Sequence, residues 1–138
     1  MANVSNYMDQ GGDTFTIGGT LTLASGAVVD DNRLTASTTS AADALAIPVT
    51  ARYVAKTTGA DAEALTLADG SFEGQELTLS LVTDGGGTGT LTPATSSGWA
   101  TIVFADAGDT AHLRFIDATV GWVIVGLAGV AAPPVITI

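Results

Sequence analysis

An all-β fold, a compact antiparallel sandwich or barrel, is what this sequence predicts, and three observations predict it. Residue choice is the first. Threonine occurs 21 times and glycine 17 times, against one lysine and three glutamates. Strand-favouring β-branched residues are plentiful and good surface-helix formers are scarce. The second is two-residue alternation of apolar and polar positions, the period of a half-buried strand. The third is the regular return of turn residues after every five or six positions, with links too short for parallel crossovers.

The elements follow in order. Residues 1–13 form an N-terminal arm without period, ending in Gly11-Gly12. Residues 14–43 form a short β segment and polar linker. Phe15, Ile17, Leu21 and Leu23 alternate with Thr14, Thr16, Thr20 and Thr22 around Gly18-Gly19, like one or two coils of a β-roll. Asp30 to Asp43 is rich in Ser, Thr and Ala and reads as a linker. Residues 44–130 form the antiparallel domain. Leu45, Ile47 and Val49 alternate, with Pro48 marking an edge or a bend. Ala51, Tyr53 and Ala55 then share one face, and Arg52, Val54 and Lys56 the other. Leu65 and Leu67 precede Asp69-Gly70; Leu77, Leu79 and Leu81 precede Asp84-Gly85. Leu91 lies in a strand ended by Pro93, and Trp99 to Ala105 form another. Leu113 and Phe115 alternate with His112 and Arg114, and Trp122 to Val125 make the last central strand. Residues 131–138 are an extended tail, in which Pro133-Pro134 lead into the β-prone Val135-Ile136-Thr137-Ile138. An apolar tail strand needs a partner, from its own domain or from a neighbouring copy's sheet.

The totals exclude several classes. With no cysteine there is no disulfide, CxxC or thiolate metal chemistry. Fourteen acids face four bases, Arg33, Arg52, Lys56 and Arg114, for a net charge of −10. Such a chain repels nucleic-acid phosphates and anionic membranes, so neither is an expected partner. Met1 to Asp13 lacks the basic start and apolar run of a signal peptide. The apolar stretch Val120 to Ala132 is too short for a spanning helix and carries three glycines.

Candidate chemistry is sparse. His112, the single histidine, lies on a polar strand face and reads as a surface residue. The run Gly85-Gly86-Gly87-Thr88-Gly89 lacks the lysine of a P-loop and the helix of a dinucleotide fingerprint, so it reads as a flexible turn. The carboxylate pairs Asp30-Asp31, Asp61-Glu63 and Asp106-Asp109 carry no mark of catalysis. Asp106 and Asp109 bracket a turn, where aspartate commonly serves the backbone. Trp99 and Trp122 sit in apolar strands and read as core. The expectation is therefore a non-enzyme, with no catalytic residues, metal or cofactor.

Four stretches carry a resemblance: IPVTARYVAKTTGADAEALTLADG (47–70), LVTDGGGTGTLTP (81–93), TIVFADAGDTAHLRFIDATVGWVIVG (101–126) and AGVAAPPVITI (128–138). With the opening MANVSNYMDQGG, they resemble the head-fibre or capsid-decoration proteins of tailed bacteriophages. That resemblance implies a virion structural protein on the outer capsid surface, in the host cytoplasm before assembly. Its partners would be the major capsid protein and, as a homotrimer, itself. Longer members have extended glycine-rich rolls where this chain has only Phe15 to Val29, which favours a compact decoration over a projecting fibre. The aperiodic arm, Met1, Ala2, Asn3, Val4, Ser5, Asn6, Tyr7, Met8 and Asp9, is the expected capsid-binding segment. Val135, Ile136, Thr137 and Ile138 are the expected subunit contacts. The competing reading is a tail-fibre or receptor-binding tip that recognises a cell-surface glycan.

Overall fold

The computed structural model describes residues 18–20, 22, 25, 33–129 and 132–138. The chain divides into two compact units, Met1–Asp30 and Asp31–Ile138, and the fold described is that of the second. Its described residues form ten strands: β1 (Thr35–Ser40), β2 (Ala46–Ile47), β3 (Ala51–Thr57), β4 (Glu63–Leu67), β5 (Glu76–Thr83), β6 (Gly89–Pro93), β7 (Thr101–Phe104), β8 (Thr110–Phe115), β9 (Trp122–Ala128) and β10 (Val135–Thr137). They build two five-stranded sheets, ordered β1-β3-β5-β8-β9 and β10-β7-β6-β4-β2. The predicted all-β sandwich is what forms. No helix occurs among the described residues.

The strand pairing differs from the expected antiparallel pattern. From β1 to β6 the chain alternates between the sheets, and each strand pairs in parallel with the strand two positions later. Thr35 lies opposite Ala51, and Tyr53 opposite Thr78, in the first sheet. Ala46 lies opposite Thr66, and Glu63 opposite Gly89, in the second. Parallel partners need a crossover of a dozen or more residues. Here a strand of the opposite sheet supplies it, so short corners suffice, and this half is wound like a two-sheet solenoid. Beyond β6 the named strands pair antiparallel, β6 with β7, β5 with β8, β8 with β9, and β7 with β10, and a single parallel bridge joins Ser96 to Trp122.

Two boundaries also move. The expected linker before residue 44 contains β1, which is hydrogen-bonded to β3 along the edge of the first sheet. The tail strand β10 takes the partner expected from its own domain and so joins the second sheet: Val135, Ile136 and Thr137 pair with Val103, Ile102 and Thr101. The apolar stretch from Val120 yields β9, an edge strand rather than a central one, in which Trp122 alone is fully enclosed.

The core lies between the sheets. Alternation is clean in β4, where Glu63, Leu65 and Leu67 face inward, and in β5, where Leu77, Leu79 and Leu81 do. Leu91, Ile102, Phe104 and Leu113 meet them. Each such side chain contributes about 1.5–3 kcal/mol by leaving water. In β3 the inward face is Val54 and Lys56, not Tyr53 and Ala55. Trp122 ties the sheets together: its ring lies 5.4 Å from that of Phe115, and its indole nitrogen donates to the Ala68 carbonyl at 2.9 Å. The Trp99 indole in turn donates to the Trp122 carbonyl at 3.0 Å. Both buried donors are thus satisfied, as burial of an indole requires.

At one end of the sandwich the corners between successive strands stack on each other. The glycine run forms the β5–β6 corner and lies directly on the β3–β4 corner. Gly87 donates its N–H to the Gly59 carbonyl at 2.9 Å, and Glu63 donates to Thr88 at 2.8 Å. A Cβ on Gly87 would overlap the carbonyl of Asp61, and one on Gly85 that of Thr58. The run is a close-packed corner, not the flexible turn expected from composition. Gly87→Ala should therefore destabilise the fold by about 1–3 kcal/mol, the usual range for overpacking, because only backbone movement relieves the clash. Chemical denaturation of the variant checks this; Gly18→Ala, where added Cβ atoms meet nothing within 4 Å, is the neutral control.

Candidate functional site

The most concentrated polar chemistry lies inside this stack of corners. Lys56, near the end of β3, and Glu63, at the start of β4, are 2% and 4% exposed. Their charged atoms meet at 2.6 Å. Lys56 Nζ also donates to the carbonyls of Ala41 and Ala44, at 2.7 and 2.9 Å. Glu63 Oε1 accepts the N–H groups of Asp43 at 3.0 Å and Gly59 at 2.6 Å. The pair thus holds the β1–β2 corner to the β3–β4 corner, on which the glycine corner then rests. Burial alone would raise the Glu63 pKa. The Lys56 hydrogen bond, the two backbone donors and the lysine charge outweigh it and hold the carboxyl below its ordinary value.

The opposite end has a neutral counterpart. Gln75, 1% exposed, donates from Nε2 to the Val49 carbonyl and accepts from the Ser71 N–H, both at 2.7 Å. It joins the β2–β3 corner to the β4–β5 corner. The remaining buried acid, Asp109, caps the β7–β8 turn: its Oδ2 accepts from Ala105 at 2.8 Å and Asp106 at 3.1 Å.

The expected site residues fall as follows. Asp106 and Asp109 do not converge on a ligand, since Asp106 is exposed and Asp109 is turned into its own loop. Asp61 is exposed on a corner, whereas Glu63 is interior, so that pair is divided. His112 projects from the first sheet's outer face, 3.8 Å from Glu76, which also pairs with Arg114 at 2.6 Å. The Arg114 hydrogen bond, supported by the Arg114 and His112 charges, lowers the Glu76 pKa despite some burial. Among the described residues no three His, Cys, Asp or Glu side chains gather as a metal site. Trp99 and Trp122 are core, as predicted. Val135, Ile136, Thr137 and Ile138 are exposed along an outer edge of the second sheet. Met1 to Asp9, and the Asp30-Asp31 pair, lie outside the described residues.

Sequence reading missed Lys56, Glu63 and Gln75. A signal was present for two of them. Lys56 shares the strand parity of Val54, and Glu63 that of Leu65 and Leu67, so alternation places both inside. Nothing local marks Gln75, whose role arises from the corner it meets. No protein-family model and no curated protein matches this chain.

Two outcomes follow from the buried pair. Lys56→Ala or Glu63→Ala should each lose about 3–5 kcal/mol, because the remaining charge is left uncompensated. The Lys56→Met/Glu63→Leu double variant should remain destabilised by about 2 kcal/mol or more, since four backbone groups lose their partners. Denaturant titration of the three variants measures both. Glu63 also makes stability pH-dependent. Its folded pKa lies below the unfolded one, so its stabilisation is complete above the ordinary glutamate value near 4.5 and is lost as pH falls through the folded pKa. Thermal midpoints taken from pH 6 down to pH 2 should fall more steeply for the parent chain than for Glu63→Gln.

Proposed function

We propose that this chain is a virion structural protein of a tailed bacteriophage, bound to the outer surface of the capsid as a decoration or short head-fibre protein. It stabilises the head or mediates surface adhesion, and it associates with copies of itself as a trimer. The observation that carries the reading is where the interior polar groups go. Lys56, Glu63, Gln75 and Asp109 are all engaged with corner and turn backbone. Polar capacity is given to rigidity rather than gathered round a cavity, which suits a scaffold that must hold its shape on a particle. The resemblance of four stretches to head-fibre and decoration proteins supplies the particular particle. The acidity fits copies that stay dispersed before assembly.

Attachment falls to the arm Met1–Asp9, and Val135–Ile138 to contact between subunits. Purified protein should co-sediment saturably with heads of its phage that lack it, and removal of residues 1–13 should abolish this while the circular dichroism spectrum is kept. Unchanged occupancy without the arm would refute its role. Absence of head binding, with binding instead to host cells or a glycan, would replace the capsid reading by a receptor-binding tip.

A further inference from the structure

The buried pair is arranged for more than attraction between two charges. The Lys56 ammonium has three N–H bonds. Two donate to the carbonyls of Ala41 and Ala44, at 2.7 and 2.9 Å, which leaves the third for Glu63 Oε2, 2.6 Å away. Among the described residues that oxygen has no donor but Lys56. Nζ therefore lies within about 3.8 Å of the carboxyl carbon, one carbon–oxygen bond further on. The other oxygen, Oε1, accepts two backbone N–H groups, from Gly59 at 2.6 Å and Asp43 at 3.0 Å. A nitrogen nucleophile, a carboxyl carbon and two fixed donors on one oxygen are the parts of an acyl-transfer site. Both side chains are almost wholly out of solvent, so bulk water does not compete with the amine.

We propose that Lys56 Nζ and Glu63 Cδ condense within the folded chain to an isopeptide bond, with release of one water. The resting ion pair is unreactive, because an ammonium has no lone pair. Passing one proton from Nζ to Oε2 gives a neutral amine beside a neutral acid. Burial lowers the cost of that state, since desolvation penalises both charges. The two remaining N–H bonds still donate to Ala41 and Ala44, so the lone pair takes the direction of the lost proton, toward Glu63. Attack on Cδ forms the carbon–nitrogen bond and puts negative charge on Oε1. The Gly59 and Asp43 N–H groups receive that charge, and a donor so placed is commonly worth about 10²–10³-fold in rate. Nitrogen then gives a second proton to the Oε2 hydroxyl, the Cδ–Oε2 bond breaks, and Oε2 leaves as water. Oε1 becomes the amide carbonyl, held by the same two donors, and the last N–H keeps one of its two carbonyl partners. Nothing is oxidised or reduced, and no co-reactant is needed.

In dilute solution water opposes such a condensation. Groups held in contact react as though at about 10⁵–10⁸ M, which offsets that opposition. The product also replaces two buried charges by one neutral amide. A chain without cysteine thereby gains a covalent staple, joining β3 of one sheet to β4 of the other. Chain that has not reacted keeps the ion pair and its acid sensitivity; the bonded form has no Glu63 carboxylate and loses it. The inference is independent of the capsid reading.

Intact-mass spectrometry of the full chain, stored folded at neutral pH and denatured only for measurement, tests it. A fraction lighter by one water should appear and grow over days. Trypsin should cut unreacted chain after Lys56, parting residues 53–56 from 57–114. The bond should block that cut and leave 53–114 as one peptide, in which tandem spectra join Lys56 to Glu63. Lys56→Arg, which keeps the charge but supplies no amine, should hold its full mass. Should that variant misfold, parent chain stored in denaturant makes the same comparison, since unfolding parts the two groups. A folded parent that keeps its full mass overturns the inference. So does a water loss that persists in folded Lys56→Arg or in denaturant, or one that maps to Asp69-Gly70 or Asp84-Gly85, where aspartate can dehydrate to a succinimide. Head binding by chain of full mass defeats this inference alone, and the Lys56–Glu63 bond without head binding defeats the capsid reading alone.

Discussion

Lys56 and Glu63 come from strands of opposite sheets and meet where water is excluded. Removing two charges from solvent is expensive, and their mutual attraction seldom repays it unless the remaining hydrogen-bonding capacity is also used. Here it is used: two carbonyls on the lysine and two N–H groups on the glutamate belong to two successive corners. The pair therefore sets the spacing of the corners as well as joining two side chains. Parallel strands wound through alternating sheets have no hairpin to fix their register. A buried ion pair with five directional contacts, its own and four to backbone, supplies that register, because sliding one coil would strand both charges.

The rest of the winding elaborates this constraint. The glycine corner can lie on the β3–β4 corner because Gly85 and Gly87 present no side chain to the carbonyls of Thr58 and Asp61. Gln75 repeats the scheme at the far end with a neutral amide, which costs less to bury than an ion. The antiparallel half, β7 to β10, then adds strands to both sheets, and the two indole hydrogen bonds fasten them across the core.

Charge is distributed with the same economy. The exposed acids Asp43, Asp61, Asp84 and Asp106 lie on the stacked corners and the adjoining β7–β8 turn. Arg33, Arg52 and Arg114 lie toward the opposite end, with Glu73, Glu76 and Asp117 among them. Charges gathered at the ends leave the second sheet's outer face to threonine, alanine and valine.

What the sequence by itself determined was local. Alternation in Leu77-Leu79-Leu81 and Leu65-Leu67 placed strands and their inward faces, because a two-residue period has one reading when one side is buried. Asp69-Gly70, Asp84-Gly85 and Pro93 placed the breaks, and Trp99 and Trp122 declared themselves core by their surroundings. Tertiary structure alone decided which strands pair. Short links favour hairpins when only neighbouring strands are considered, yet a link passing to the opposite sheet makes parallel pairing equally short. Thr35 to Ser40 read as linker because its residues are polar, and an edge strand exposed on most positions needs no apolar pattern. Residue type alone does not place Lys56 and Glu63 inside, since ionised groups are seldom buried unpaired. Each becomes interior only because the other, 7 positions along the chain and in the other sheet, arrives at 2.6 Å.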